Sequence, residues 1–327
     1  MRALVFGSTG FIGSEVARLL ASEGHEVYGF SRGHAGDAAA KDGLNQISGD
    51  VLKPSDIAAA YKAADPHWVI FAAGEKYPAG RSSRSWLELM EKTRVEGVKN
   101  VVNALDSAAG VKFITVSGAL AYKRPRLYKG EGDELLSKEE DPIDESTWFG
   151  RTLSKWEKEV MAKVQSDGLN AVIARMGAVY GWGGQWRQLF FEPMLRHRRV
   201  FVPGNGRAQL SYIHVTDAAR ALIHLLRKGT PGEVYNIVDD EPVSIGLFLN
   251  SAASFFKAPH PLYVPLWLTR LALGSSTFSL VKPAFSVSQL VSNAKLKKYE
   301  FTFEYPSYES GLKRVRDDAL AVREASK

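Results

Sequence analysis

Three glycines at a spacing of three, in Gly7-Ser8-Thr9-Gly10-Phe11-Ile12-Gly13, are the first residues of the chain whose types could do chemistry. They follow the apolar run Ala3-Leu4-Val5-Phe6 and open a stretch in which Phe11, Ile12, Val16, Leu19 and Leu20 recur at helical spacing. A strand, a glycine turn and a helix in this order aim free backbone N–H groups and the positive end of a helix dipole at a phosphate. The glycines allow the tight turn and the close approach of backbone to a pyrophosphate. Gly7 to Gly13 are therefore read as a dinucleotide phosphate loop.

The end of the next apolar run, Glu26-Val27-Tyr28-Gly29-Phe30, bears on which dinucleotide is taken. A carboxylate there would accept a hydrogen bond from the ribose 2′-OH, whereas a cation would pair with a 2′-phosphate. Ser31-Arg32 follow, with no acid before Asp37. Arg32 can grip a phosphate bidentately and stack on adenine. NADP(H) is predicted in preference to NAD(H).

Elements that could hold this loop alternate through the first half. Strands are expected at Arg2–Phe6, Glu26–Phe30, Asn45–Gly49, His67–Ala72, Val111–Ser117 and Asn170–Arg175. Helices are expected at Gly10–Ser22, Ser55–Ala63, Trp86–Ala109 and Phe149–Gln165. The alternation predicts an α/β fold, a Rossmann-type doubly wound parallel sheet with right-handed crossovers. Helical Asp217–Lys228 and strand-like Glu233–Val238 add one more unit. The expected division is a dinucleotide domain over 1–180, rejoined by 211–240. A smaller C-terminal substrate domain takes 181–210 and 241–327.

The loop resembles that of the extended short-chain dehydrogenase/reductase family, also called the epimerase/dehydratase family, in its TGxxGxxG pattern. Further segments carry the resemblance along nearly the whole chain. Gly49-Asp50-Val51 is similar to the adenine-contacting segment, and Phe71-Ala72-Ala73-Gly74 to the fourth-strand end beneath the nicotinamide ribose. Arg175-Met176-Gly177-Ala178-Val179-Tyr180-Gly181 is similar to RPxxVYG, with Met176 where Pro is usual. Ser211 to Asp217 is similar to FVHVxD, Glu233 to Ile237 to GxxYNI, and Ser292 to Lys295 to SxAK. The resemblance implies cofactor contacts from Gly7, Ser8, Thr9, Gly10, Phe11, Ile12, Gly13, Ser31, Arg32, Asp50, Val51, Ala72, Ala73, Gly74, Ser117, Lys155 and Met176.

The catalytic centre departs from that family. A typical member places a Tyr four residues before a Lys on one helix face, where the Lys holds the ribose and the Tyr transfers the proton. In Phe149-Gly150-Arg151-Thr152-Leu153-Ser154-Lys155 the lysine is Lys155, but Arg151 stands in the tyrosine position. Phe149 falls on a different helix face from Lys155. The usual catalytic hydroxyl at the fifth-strand end is replaced by Gly118, and strand alternation turns Ser117 to the other face. Arg94 replaces the structural Asn. A guanidinium is a poor general base, so Lys155, Arg151 and Tyr122 are the catalytic candidates, with Tyr180 or Tyr77 as other phenols that could reach in.

Substrate contacts are expected from Arg94, Tyr180, Trp182, Trp186, Arg207 and His214. The aromatic loops favour an aromatic or polyketide-like carbonyl compound over a nucleotide sugar. For Trp182 and Trp186 packing of a long loop is an equal alternative, and for His214 a core or hinge position is the stronger one. The main reading is an NADP(H)-dependent oxidoreductase or epimerase-like enzyme with a non-standard site, acting on a small carbonyl or hydroxyl compound. The alternatives are a dinucleotide-binding regulatory module and a non-redox isomerase or lyase.

Composition narrows the field. The 327 residues are 45% hydrophobic and 24% charged, an ordinary globular balance. Forty-two Lys and Arg against 36 Asp and Glu leave 42 − 36 = +6, too small a surplus to argue for nucleic acid. The clusters Arg196-His197-Arg198-Arg199 and Lys295-Lys297-Lys298 lack the interleaved aromatics of a single-strand binder. With no cysteine, thiolate chemistry and cysteine metal sites are excluded. No His/Asp/Glu cluster has metal spacing, so no metal is expected. The apolar stretch from Leu262 to Val281 is broken by Pro265, Arg270 and Gly274-Ser275-Ser276, which favours a covering helix over a membrane span. Met1-Arg2 lead straight into the first apolar run, so a cytoplasmic protein without membrane partner is expected. A homodimer through Trp86–Ala109 and Phe149–Gln165 is compatible with the apolar content of those helices.

Overall fold

The computed structural model describes residues 1–33, 43–75, 83–105, 110–119, 121–123 and 136–325. Seven strands form one parallel sheet: β1 (Arg2–Phe6), β2 (Glu26–Ser31), β3 (Asn45–Ser48), β4 (Trp68–Phe71), β5 (Lys112–Gly118), β6 (Ala171–Met176) and β7 (Val234–Ile237). Their spatial order is 7-6-5-4-1-2-3. The order reverses at β1, which pairs with β2 on one side and β4 on the other. In open α/β sheets the ligand crevice lies outside the carboxyl ends of the strands at that reversal.

Burial on both faces explains why the strands read as continuous apolar runs. One face packs Ala3, Val5, Ile70 and Ile114 against α1 (Phe11–Ser22) and α5 (Val215–Lys228). The other packs Leu4, Phe6, Val69, Phe71 and Phe113 against α2 (Pro54–Ala64), α3 (Arg84–Ala104) and α4 (Trp148–Asp167). The doubly wound fold is thus as the alternation predicts.

A third core belongs to the C-terminal part. Tyr180, Phe191, Tyr212, Phe248 and Leu312 pack together there, drawing on α6 (Ile245–Phe255) and α8 (Tyr308–Ala325). Between these helices α7 (Leu266–Ser286) is interrupted at Gly274, whose φ of +75° is not helical. Among the described residues no helix is long and apolar enough to cross a membrane.

Candidate active site

The phosphate loop is built by close backbone approach. Gly7 has φ +85°, its N–H donates to Phe30 O at 2.9 Å, and a Cβ there would lie 2.7 Å from Ala72 O. A Cβ at Gly13 would collide with Gly7 O. Any larger residue at either position would push β1, β4 and the first turn of α1 apart. Gly10 caps α1 without a side-chain hydrogen bond. The first N–H groups of the helix therefore face outward with no internal acceptor, as an anion site requires. Thr9 is exposed at the turn, and Ser8 is buried beneath it, with Gln46 Nε2 at 3.4 Å from its Oγ. Phe11 and Ile12 are half-buried. The Phe11 ring carries the later Gly181–Gly184 loop, where a Cβ at Gly183 would sit 2.6 Å from it.

Three strand ends frame the crevice beside this loop. Arg32, just past β2, donates from Nη2 to Glu75 Oε2 at 2.8 Å. Ser31 holds the third-strand turn, its carbonyl accepting from Gly49 N at 3.0 Å. Asp50 Oδ1 accepts from Leu52 N at 3.0 Å, and Val51 is buried against Gly97. Ala72 and Ala73 are half-buried and Gly74 is exposed. Beside Gly74 lies Arg94 of α3, stacked 5.7 Å from the Trp156 ring. A Cβ at Gly74 would be 3.5 Å from Arg94 Nε, an atom that is buried and has no hydrogen-bond partner among the described residues. The loop glycines, the open helix start and this unpaired N–H beside Gly74 all fit a dinucleotide.

At the end of β5 the space beside Gly118 is filled by hydrocarbon. A Cβ on Gly118 would meet Phe149 Cζ at 3.0 Å and Leu153 Cδ1 at 3.2 Å. Lys155 lies on another face of α4, its side chain 58% exposed, with Nζ donating to Glu91 Oε1 at 2.6 Å. Arg151 Nη1 donates to the carbonyls of Ser146 at 2.9 Å and Glu145 at 3.2 Å, so it ties down the chain before α4. Tyr77 lies outside the described residues.

Ser117 and Tyr122 belong to a buried polar network. The Arg175 guanidinium pairs bidentately with Glu157, Nε–Oε1 3.0 Å and Nη2–Oε2 2.7 Å. Ser117 Oγ donates to Glu157 Oε1 at 2.6 Å. Tyr122 OH accepts from Arg175 Nη1 at 2.9 Å and donates to Asn236 Oδ1 at 2.5 Å. Burial pushes the Tyr122 phenol up to about 12. The Ser117 hydroxyl is thus spent on Glu157 of α4, the helix that also covers Gly118.

The aromatic candidates fall mostly in the third core. Tyr180 is fully buried, its OH has no hydrogen-bond partner among the described residues, and a Cβ on Gly311 would run into it. Trp186 packs edge-on to Phe248 at 5.1 Å and beside Tyr212 at 5.8 Å. Trp182 lies 4.9 Å beneath the Arg187 guanidinium and 6.4 Å from Phe256. His214 is buried, caps α5 through Thr216 N at 3.3 Å, and is held down to about 4 by desolvation. Arg207 is exposed on its turn, and Met176 is buried in β6. Trp182 and Trp186 are each half-buried against this core. Among the described residues no group of His, Asp and Glu could hold a metal ion.

Glu75 is the site residue that sequence reasoning missed. Its side chain is 9% exposed, and Thr93 Oγ1 anchors its other oxygen at 2.8 Å. The available signal was its place one residue after Ala73-Gly74, at the lip of the fourth strand.

Comparisons with known proteins agree with this fold. The sequence profile of the NAD dependent epimerase/dehydratase family matches residues 3–238. A 3-beta-hydroxysteroid dehydrogenase of Mycolicibacterium neoaurum is 28% identical over 251 residues, covering 75% of this chain and 67% of its own. Human epimerase family protein SDR39U1 is 30% identical over 232 residues, 69% of this chain and 70% of its own. The crystal structure of human SDR39U1 (isoform 2) with NADPH superposes with a TM-score of 0.79 at 22% identity, covering 97% of this chain and 100% of that one. A dTDP-glucose 4,6-dehydratase from Bacillus anthracis in complex with NAD gives a TM-score of 0.80 at 18% identity over 99% and 98% of the two chains. The chain belongs to the NAD dependent epimerase/dehydratase family.

Proposed function

We propose that the protein is an NADP(H)-dependent oxidoreductase acting on a small carbonyl or hydroxyl compound through a non-standard active site. The observation that carries this reading is the uncapped start of α1, closed against β1 and β4 by glycines that tolerate no Cβ. When bound, a nicotinamide dinucleotide supplies or accepts a hydride. The open N–H groups at the start of α1 hold the phosphates, Arg32 takes the 2′-phosphate, and Asp50 and Val51 flank the adenine. Ala72 to Gly74 pass beneath the ribose. Arg94, with its unpaired Nε, supplies positive charge beside them. The NADPH complex of human SDR39U1 supports the choice of dinucleotide.

Lys155, exposed on another face of α4 and bonded to Glu91, does not stand beside Gly118, where Phe149 and Leu153 leave no α4 side chain that could move a proton. Arg151 and Tyr122 are spent on protein partners. The steroid dehydrogenase relative supports a ketone or alcohol on an apolar compound. Purified protein mixed with NADPH and a panel of carbonyl compounds tests the reading by loss of nicotinamide absorbance. Carbonyl-dependent oxidation of NADPH that is lost in Gly13→Ala, whose Cβ would collide with Gly7 O, fits it.

A second reading, a dinucleotide-binding module without turnover, is favoured by one observation. Phe149 and Leu153 occupy the space at Gly118 where a reacting oxygen would find its hydroxyl partner. NADPH binding without oxidation by any carbonyl would favour it.

A further inference from the structure

The Arg32–Glu75 ion pair spans the place where a dinucleotide enters. Arg32 lies one residue past the end of β2 and Glu75 four residues past the end of β4, the two strands that flank β1. Neighbouring strands lie about 4.8 Å apart, so these ends are about 10 Å apart with the phosphate loop between them. The 2.8 Å contact therefore bridges the mouth of the crevice in front of Gly7. Thr93 fixes the carboxylate from α3, and only the arginine side, 49% exposed, is free to swing.

We propose that Glu75 sets which dinucleotide the protein takes. Resting on the dinucleotide reading above, the inference adds an acid that the β2 end itself lacks. Toward NAD(H), the Glu75 carboxylate accepts a hydrogen bond from the ribose 2′-OH, the role usually filled by an acid on the second strand. Toward NADP(H), Arg32 must leave Glu75 for the 2′-phosphate, and the fixed carboxylate then repels that phosphate at close range. Glu75 thus restrains a preference for NADP(H) that Arg32 alone would make strong.

The test is fluorescence titration of the full chain with NADPH and NADH, repeated for Glu75→Gln and Arg32→Ala, with each variant's melting temperature as a check on folding. Glu75→Gln keeps the shape and an acceptor for Thr93 but removes the charge. It should tighten NADPH by about fivefold or more and weaken NADH, because a charge-assisted bond becomes a neutral one. Arg32→Ala should weaken NADPH by about tenfold or more and tighten NADH, since the carboxylate is then free for the 2′-OH. Competition by 2′-phospho-AMP and by AMP should move in the same two directions. Equal changes in both affinities, or weaker NADPH binding by Glu75→Gln, would mean that Glu75 only props Arg32, and would overturn the inference. Wild-type protein that binds neither nucleotide would overturn the dinucleotide reading along with it. Wild-type binding with an unmoved NADPH-to-NADH ratio in both variants would overturn this inference alone.

Discussion

Replacing Arg175 by Met should destabilise the protein sharply without touching the crevice. Both members of the Arg175–Glu157 pair are 8% exposed in their side chains. The guanidinium also reaches Tyr122 OH at 2.9 Å and the Glu139 carbonyl at 3.1 Å. Arg175→Met leaves the Glu157 carboxylate buried with Ser117 as its remaining donor among the described residues, and an uncompensated buried charge costs about 3–5 kcal/mol. At ~2.1 cal/mol/K per residue, a chain of 327 residues has an unfolding entropy near ~0.7 kcal/mol/K. The melting temperature should therefore fall by about 4–7 °C. Glu157→Leu should cost a similar amount, and the double variant should cost less than the two singles together, because a well-packed apolar pair replaces the ion pair. Calorimetry on the four proteins closes the cycle, with NADPH affinity measured alongside. A single-variant loss below about 1 kcal/mol, or strict additivity, would refute the claim that this pair is buried and coupled.

Three further outcomes follow from the same geometry. Gly13→Ala should weaken dinucleotide binding by about 100-fold or more, some 2.7 kcal/mol, by titration, because its Cβ collides with Gly7 O. Tyr180→Phe should leave turnover and nucleotide affinity unchanged, since it removes a buried hydroxyl that has no partner; it should also relieve part of the overpacking of about 1–3 kcal/mol caused by Gly311→Ala, as read by thermal melts. Stability should also fall as pH rises above 6.5. Burial pushes Asp239 up from 3.8 to about 8, so its protonated form favours folding and that contribution is lost as pH climbs through this range. His214, pulled from 6.5 down to about 4, works oppositely, its contribution being lost as pH falls through that range. The two nearly cancel below 6.5. A decline of about 2 kcal/mol remains between pH 6.5 and 8, which denaturant titrations should detect and Asp239→Asn should abolish.

The sheet was legible because both of its faces are buried. Runs such as Ala3-Leu4-Val5-Phe6 and Trp68-Val69-Ile70-Phe71 have no polar interruption, and strands spaced by amphipathic helices leave few topologies. The phosphate loop was legible for a local reason, since Gly7 to Gly13 act through backbone alone. What stayed hidden depends on side chains meeting across the fold. Glu75 finds Arg32 only because β2 and β4 flank β1, and Glu157 finds Arg175 only because α4 lies over β6. Trp182 and Trp186 were ambiguous because an aromatic side chain packs a core as readily as it grips a ligand. Neighbours such as Phe248 and Phe256 lie far along the chain. Arg151, expected from the sequence in the position of a catalytic tyrosine, is long enough to fold back onto the carbonyls of Glu145 and Ser146, and Phe149 and Leu153 are the α4 side chains beside Gly118.

The central claim is that the Gly7–Gly13 crevice takes a phosphorylated nicotinamide dinucleotide. Its most direct test is the affinity of the purified protein for NADPH and NADH by fluorescence titration at fixed salt. The account predicts saturable binding of both, tighter for NADPH, and lost in Gly13→Ala. Absence of binding to either nucleotide, or binding that Gly13→Ala leaves unchanged, would contradict it.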